Sequence, residues 1–320
     1  MPVNHKKISP DQQSVVHQTS QGSEEKSRRR SRRIPLNRLD WLLLAFLAAI
    51  LGWLWYRSAI GIHYHWQWDK AFNLILTNGK NGELPYFFQG LIATLRLSLW
   101  GMLLAASLGL LLGLARRSSF WLFRLPAQAY IQLVRNIPPL VFVFIFYFFI
   151  SSQLVPLLGL ESILRQSPSS VNLVQNGLFG PPALWENLFS GVLCVGLISA
   201  AYIAEIVRAG IDAIDKGQWE AADSLGLSRW SQFRDVIFPQ ALSGIVPPLA
   251  GQFISLVKDS SIISLISIQE LTFVGSEIAN SSGLIFEIWL LVGAGYFLLC
   301  FSLSLLFSKL EHHSRRHLLQ

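Results

Sequence analysis

The sequence predicts an all-α integral membrane protein, and three observations predict it. Of 320 residues, 52% are hydrophobic and only 14% are charged, against roughly 25% charged in an ordinary soluble domain. The mean hydropathy is positive, +0.42. The apolar residues are gathered into six long stretches, each bounded by polar or basic segments. A stretch of about 20 apolar residues crosses a bilayer as a helix, because only a helix satisfies its own backbone groups in lipid.

The first stretch covers 41–56 and is short unless extended to residue 61, which takes in Arg57; a snorkelling arginine tolerates that position. It follows a polar tail of about 40 residues, too long for the usual n-region of a leader, and we read it as a retained span. The second covers about 91–114 and contains Arg96, which either snorkels to the interface or faces an interior polar cavity. The third is 139–154, with its helix beginning near Ala127. The fourth is 188–206, the fifth 248–268 and the sixth 284–307. Residues 62–87 and 151–185 are turn-rich connections.

The net charge is +7, and the placement of the charges decides its meaning. Residues 1–40 hold nine basic and four acidic residues, including Arg28, Arg29, Arg30, Arg32 and Arg33 immediately before the first span. This tail has little apolar surface and is expected to be disordered. Segments 1–40, 114–138, 207–246 and 308–320 carry twenty basic residues, against four on the opposite side. The positive-inside rule then puts both termini and the 207–246 loop in the cytoplasm. An arginine run beside a membrane span reads as an anchor attracted to anionic lipid, so no nucleic-acid partner is expected.

Other chemistry finds little support. Cys194 and Cys300 lie in apolar stretches and read as buried thiols. His63 and His65 lack a third metal ligand, and five of the seven histidines lie in the tails. Gly79-Lys80-Asn81-Gly82 lacks the phosphate-loop pattern.

The informative segment is 217–228. Gln218 to Leu225 suit a short helix, and Gly226 is a natural stop. Ala221 and Ala222 allow close approach of a partner, while Glu220 and Asp223 suit a wet contact. Trp230, Phe233, Val236, Ile237 and Phe238 then make an amphipathic face, which Pro239 is expected to break or bend. Pro247-Pro248 reads as the start of the fifth span. That span is unusually polar, with Gln252, Ser255, Lys258, Asp259, Ser260, Ser261 and Ser264. Adjacent positions on a helix point about 100° apart, so Lys258 and Asp259 are not a simple pair. Glu205 and Arg208, three apart, can share one face at the end of the fourth span.

These segments together resemble the polar amino-acid branch of binding-protein-dependent ABC importer permeases. Glu220-Ala221-Ala222-x-x-x-Gly226, Pro239-Gln240-Ala241 and Pro247-Pro248 look like the family's EAA signature. The runs 90–95, 130–139, 201–210, 211–218 and 258–261 resemble the same branch, so the likeness covers about 88–308. It implies a type I importer transmembrane domain: a five-helix core over 88–308 with the loop 207–246 inside it. The segment 41–87 adds one N-terminal span and a periplasmic stretch, between the tail 1–40 and the tail 309–320.

It also implies roles. Trp219, Glu220, Ala221, Ala222, Leu225 and Gly226 would form the coupling helix seated on a cytoplasmic ABC ATPase dimer. Glu205 and Arg208 would orient the loop, and Arg96, Ser255, Lys258, Asp259, Ser260 and Ser261 are candidates for the translocation path or a core polar network. The chain would bind no cofactor, with ATP–Mg hydrolysed by the partner. A second permease chain, related but unlike or a second copy, and a periplasmic amino-acid-binding protein would complete an inner-membrane importer of polar L-amino acids. An ion-coupled carrier or channel is the alternative; it explains the polar fifth span but leaves the cytoplasmic loop without a purpose. The second proline of Ile137-Pro138-Pro139 stands where many relatives have leucine.

Overall fold

A computed structural model describes residues 38–61, 64–78, 83–157 and 173–317, and these are helical throughout apart from short connections. The tail before residue 38, His63, the glycine-lysine turn and Arg165 lie outside the described residues. The chain divides into two compact units, Met1–His65 and Trp66–Gln320.

The described helix of the first unit is α1 (Arg38–Gly61). Trp41, Leu42, Leu43, Leu44, Phe46 and Leu47 are all exposed, so it is apolar around its circumference. Such a helix needs lipid or another helix, not water. Arg57 lies 5.8 Å over the Trp53 ring, which keeps the cation beside an aromatic face.

The second unit contains α2 (Trp68–Leu76), α3 (Tyr86–Arg117), α4 (Trp121–Asn136), α5 (Pro139–Ile145), α6 (Ser152–Leu157) and α7 (Leu173–Phe179). It continues with α8 (Trp185–Asp212), α9 (Lys216–Ser224), α10 (Arg229–Ser231), α11 (Phe238–Asp259), α12 (Leu271–Ser282) and α13 (Ile285–His317). Four helical stretches are long and apolar enough to cross a membrane: Tyr86–Arg117, Gln175–Asp212, Arg229–Ile266 and Ile285–Leu310. A fifth is counted if Trp121–Asn136 and Pro139–Ser151, which meet at 114°, form one span. The break falls at Ile137-Pro138, where proline disfavours helical conformation at the preceding residue and Ile137 is extended. The apolar section Leu39–Leu54 of α1 is shorter than these, so the structure itself gives four or five spans among the described residues.

α3 and α8 form the axis of the unit. On α3, Gly101, Ala105, Gly109 and Gly113 recur every four residues, all buried. A Cβ on Gly109 would stand 2.7 Å from the Ile203 Cβ, and one on Gly113 would stand 2.9 Å from both the Ala204 carbonyl and Val207. Small residues at this spacing let two membrane helices approach until their backbones nearly touch, which is how helices pack where lipid removes the hydrophobic drive.

Three buried clusters surround the axis. Ile203, Val207, Ile211, Ile237, Ala241 and Ile245 pack the end nearest α9. Leu97, Phe142, Phe146, Val195, Leu256 and Ile263 fill the middle. Phe87, Leu271, Val274, Ile288 and Val292 close the far end. There Glu270, fully buried, caps α12 by accepting from Phe273 N at 2.9 Å, and it also accepts from the Tyr296 hydroxyl. Thr94 of α3 accepts from Leu271 N at 3.0 Å. Burial pushes the Glu270 carboxyl up, and the bonds from Tyr296 and the backbone oppose that rise.

Several boundaries differ from the expectation. The third helical segment begins at Trp121, with Pro126 inside it. Pro247-Pro248 does not begin a helix but lies inside α11, which starts at Phe238. A π-helical stretch, Gln232–Ile237, leads into Pro239 near the helix start, where a missing N–H is harmless. The helix α12 was not foreseen; its signals are the Glu270 cap and Gly283 at φ +73. Cys194 is buried as expected, but Cys300 is only half-buried.

Gly109→Ala should lower the folded stability by about 1–3 kcal/mol through overpacking against Ile203. Gly293→Ala, with nothing within 4 Å of the added carbon, should leave it unchanged. Thermal unfolding of the two variants in one detergent measures the contrast.

Candidate functional site: the 216–226 segment and its ties to the spans

The segment Lys216–Ser224 is helical because both ends are capped. Asp215 accepts from Gly217 N at 2.7 Å, satisfying a donor at the helix start. At the other end Gly226 takes φ +70. Its N–H donates to the Asp223 carbonyl at 2.9 Å, and Leu227 N donates to the Ala222 carbonyl at 3.3 Å. This pair of bonds is a Schellman motif, and it needs a left-handed residue that glycine adopts without cost. Ser228 then caps the following turn by accepting from Ser231 N.

The helix has an inner and an outer face. Ala222 is buried and Trp219 half-buried, whereas Glu220, Ala221 and Asp223 are exposed. Leu225 is 78% exposed and Trp230 67% exposed. Two large apolar side chains are thus exposed at and beyond the end of a helix that carries two exposed carboxylates and is too short to persist without packing. The inner face is fixed by Gln232, whose Nε2 donates to the Trp219 carbonyl at 2.6 Å. Gln240 donates to Gln218 Oε1 at 3.1 Å.

Glu205 and Arg208 pair on one face of α8, with Arg208 Nη2 and Nε donating to Glu205 Oε1 at 2.5 and 3.0 Å. Their setting is larger than sequence spacing reveals. Arg116 of α3 also pairs with Glu205, and Arg135 of α4 lies 3.7 Å from it. Arg117 and Arg208 share Asp212 at the end of α8. Four guanidinium groups therefore surround two carboxylates at the ends of three helices. Exposed pairs contribute little singly, but shared partners fix the helix ends relative to one another.

The polar residues of the fifth stretch divide. Ser255 and Ser261 are half-buried, and Ser260 is buried with its hydroxyl donating to the Val257 carbonyl at 2.7 Å. Lys258 and Asp259 are both exposed, at the end of α11 where a 3-10 stretch, Ser260–Ile266, takes over. The structure does not gather these residues with Arg96. Arg96 donates from Nε to the Gly177 carbonyl and from Nη2 to the Asn176 carbonyl, both at 3.1 Å. It caps the end of α7, beside Trp100, whose indole N–H donates to the Leu178 carbonyl at 3.0 Å. Arg96 also lines a mixed cleft of about 500 Å³, with Glu83, Gln89 and Gln269 among apolar side chains such as Ile92, Leu184 and Val274.

A family model described as "Binding-protein-dependent transport system inner membrane component" matches residues 105–316. The chain belongs to this family. It is 32% identical over 232 residues to the "Glutamate/aspartate import permease protein GltK" of Escherichia coli O6:H1, covering 72% of this chain and 95% of the relative. It is 36% identical over 205 residues to the "Probable amino-acid ABC transporter permease protein YckA" of Bacillus subtilis, covering 64% of this chain and 77% of that one. Among solved structures, the "Crystal structure of an amino acid ABC transporter with histidines" matches with 33% identity and TM-score 0.58 over 72% of this chain and 94% of the other. A bacterial ABC transporter involved in alginate import, 17% identical with TM-score 0.51, covering 86% of this chain and 96% of its own, shares the fold alone. This permease is therefore a multi-span transport component.

Arg96→Gln should loosen the Asn176–Gly180 turn and leave the α9 segment untouched. Hydrogen exchange should rise around 173–180 by at least about tenfold, the loss expected from two charge-assisted bonds, with unchanged exchange over 216–226.

Proposed function

We propose that this chain is the permease subunit of an ATP-driven importer of polar L-amino acids, coupled to its ATPase through the helix Lys216–Ser224 and Gly226. The observation that carries this is the capped short helix whose outer face presents Glu220, Ala221 and Leu225 to water while Trp219 and Ala222 face the spans. A surface of that shape and polarity suits a groove on a soluble partner. The twenty-to-four bias of basic residues supports a cytoplasmic location for it and for both termini, with α1 as a sixth span in an inner membrane.

The partners follow from the family. A pair of ATPase subunits supplies the energy of ATP–Mg hydrolysis, since this chain carries no site for it in this reading. A second permease chain, related but unlike or a second copy, and a periplasmic binding protein complete the complex. The cargo is inferred from relatives named for glutamate, aspartate and glutamine transport. Closure of the ATPase pair would draw two coupling helices together and shift the paired spans between inward-open and outward-open states. Glu205 and Arg208 hold the end of α8 from which the loop departs. Ser255, Lys258, Asp259, Ser260 and Ser261 are assigned to the translocation path or a core polar network, and the exposure of Lys258 and Asp259 at the end of α11 favours the path for those two.

Glu220→Gln and Gly226→Ala test the assignment in the purified complex with its own ATPase and binding protein. Alanine at φ +70 strains the cap by about 1–2 kcal/mol, so the helix should tilt or fray. Uptake of a labelled amino-acid mixture into proteoliposomes should fall several-fold per ATP hydrolysed, with membrane insertion unchanged. Wild-type uptake per ATP in both variants would sink the assignment, and competition by unlabelled glutamine, glutamate and aspartate identifies the cargo.

A further inference from the structure

Trp219 is held from two directions. Its carbonyl accepts from Gln232, which is 4% exposed, and its ring lies under the Arg117 guanidinium at 5.8 Å. Arg117 is the last residue of α3, and the same guanidinium pairs with Asp212, the last residue of α8. Asp212 accepts in turn from Arg208 Nη1 at 2.5 Å, and Arg208 leads to Glu205 and so to Arg116 and Arg135. Arg135 lies 5.7 Å over the Tyr202 ring, which returns the chain of contacts to α8.

Only residues 213–215 separate α8 from α9. These three residues form a short non-helical link, and a second attachment across it couples the two helices more firmly than the link alone. The Arg117 guanidinium is such an attachment, because its carbon lies 5.8 Å over the indole while Nη1 meets the Asp212 carboxylate. An ammonium has no separate face and edge, so lysine cannot make both contacts in one geometry.

We propose that Arg117 is a positioning residue that ties the ATPase-contacting helix to the membrane spans, by a cation–π contact with Trp219 while paired with Asp212. This rests on the reading of Lys216–Ser224 as the ATPase contact. Arg117 touches neither cargo nor ATPase in this scheme; it makes displacement of Trp219 reach the ends of α3 and α8 together.

The test is a double-mutant cycle in the complete importer, reading uptake of a labelled amino-acid mixture per ATP hydrolysed in proteoliposomes. Arg117→Gln and Trp219→Leu should each lower that ratio about threefold, the scale of one partly desolvated cation–π contact. The double variant should be no worse than the poorer single one, because one contact is lost in all three. Arg117→Lys should behave as Arg117→Gln does, and Trp219→Phe should retain most of the coupling. Losses that add, a conserved ratio in both single variants, or full function in Arg117→Lys would overturn the proposal. If Arg117→Gln does not assemble, the charge-conserving Arg117→Lys decides alone. Uncoupling by Glu220→Gln or Gly226→Ala alongside normal Arg117 variants rejects the tie only, whereas normal coupling in every variant rejects the ATPase contact as well.

Discussion

The close approach of α3 and α8 is the constraint from which the rest of the second unit follows. Gly109 and Gly113 leave no room for a side chain against Ile203, Ala204 and Val207. Two long helices brought this near act as one rigid post, and the other elements attach to it. Gly90 serves the same purpose at the far end, where an added Cβ would stand 2.9 Å from Val274 of α12. A membrane helix gains little from burying leucine among lipid tails, so this fit of glycine against β-branched residues supplies contact that apolar area cannot.

Each end of the post carries a different polar device. At the far end, Glu270 is fully buried and satisfied by α12 and α13, while Thr94 and Leu271 N join α3 to the same node. A buried carboxylate without those donors would be costly, so the node fixes three elements in one arrangement. At the α9 end the ions are half-exposed and shared, with four arginines around Glu205 and Asp212. That surplus of positive charge suits a surface facing anionic headgroups. One end is thus locked by desolvated hydrogen bonds, and the other is held by ionic contacts that can exchange partners.

Much of this was legible in the sequence, and what was not has physical reasons. Hydropathy marks the four long spans, and the short helix expected over Gln218–Leu225 is found at Lys216–Ser224, its start set by an Asp215 cap that was not foreseen. The glycine stripe on α3 was equally visible at every fourth residue but was hidden inside a long apolar run. The ends of α11 were misjudged because Pro247-Pro248 resembles a helix start; packing of Ile245, Phe253 and Leu256 carries the helix through it. Arg96 looked anomalous because its partners, Asn176 and Gly177, lie some eighty positions away. The Arg117–Trp219 contact is likewise long-range, and no local pattern announces it.

Two prolines, Pro247 and Pro248, stand within α11. Each lacks the N–H that would bond four residues back, so the carbonyls of Ser243 and Gly244 have no donor within the helix. Both residues are exposed, on the same half-turn. Fewer backbone bonds span that level than any other along α11, so bending there breaks fewer of them. The rod that runs from the ion-bound end toward Lys258 therefore has a built-in point of compliance, placed just beyond the Ala241 and Ile245 anchor. A bend at this level changes the tilt of the Lys258 end relative to the anchored end at less cost than a bend elsewhere in the helix.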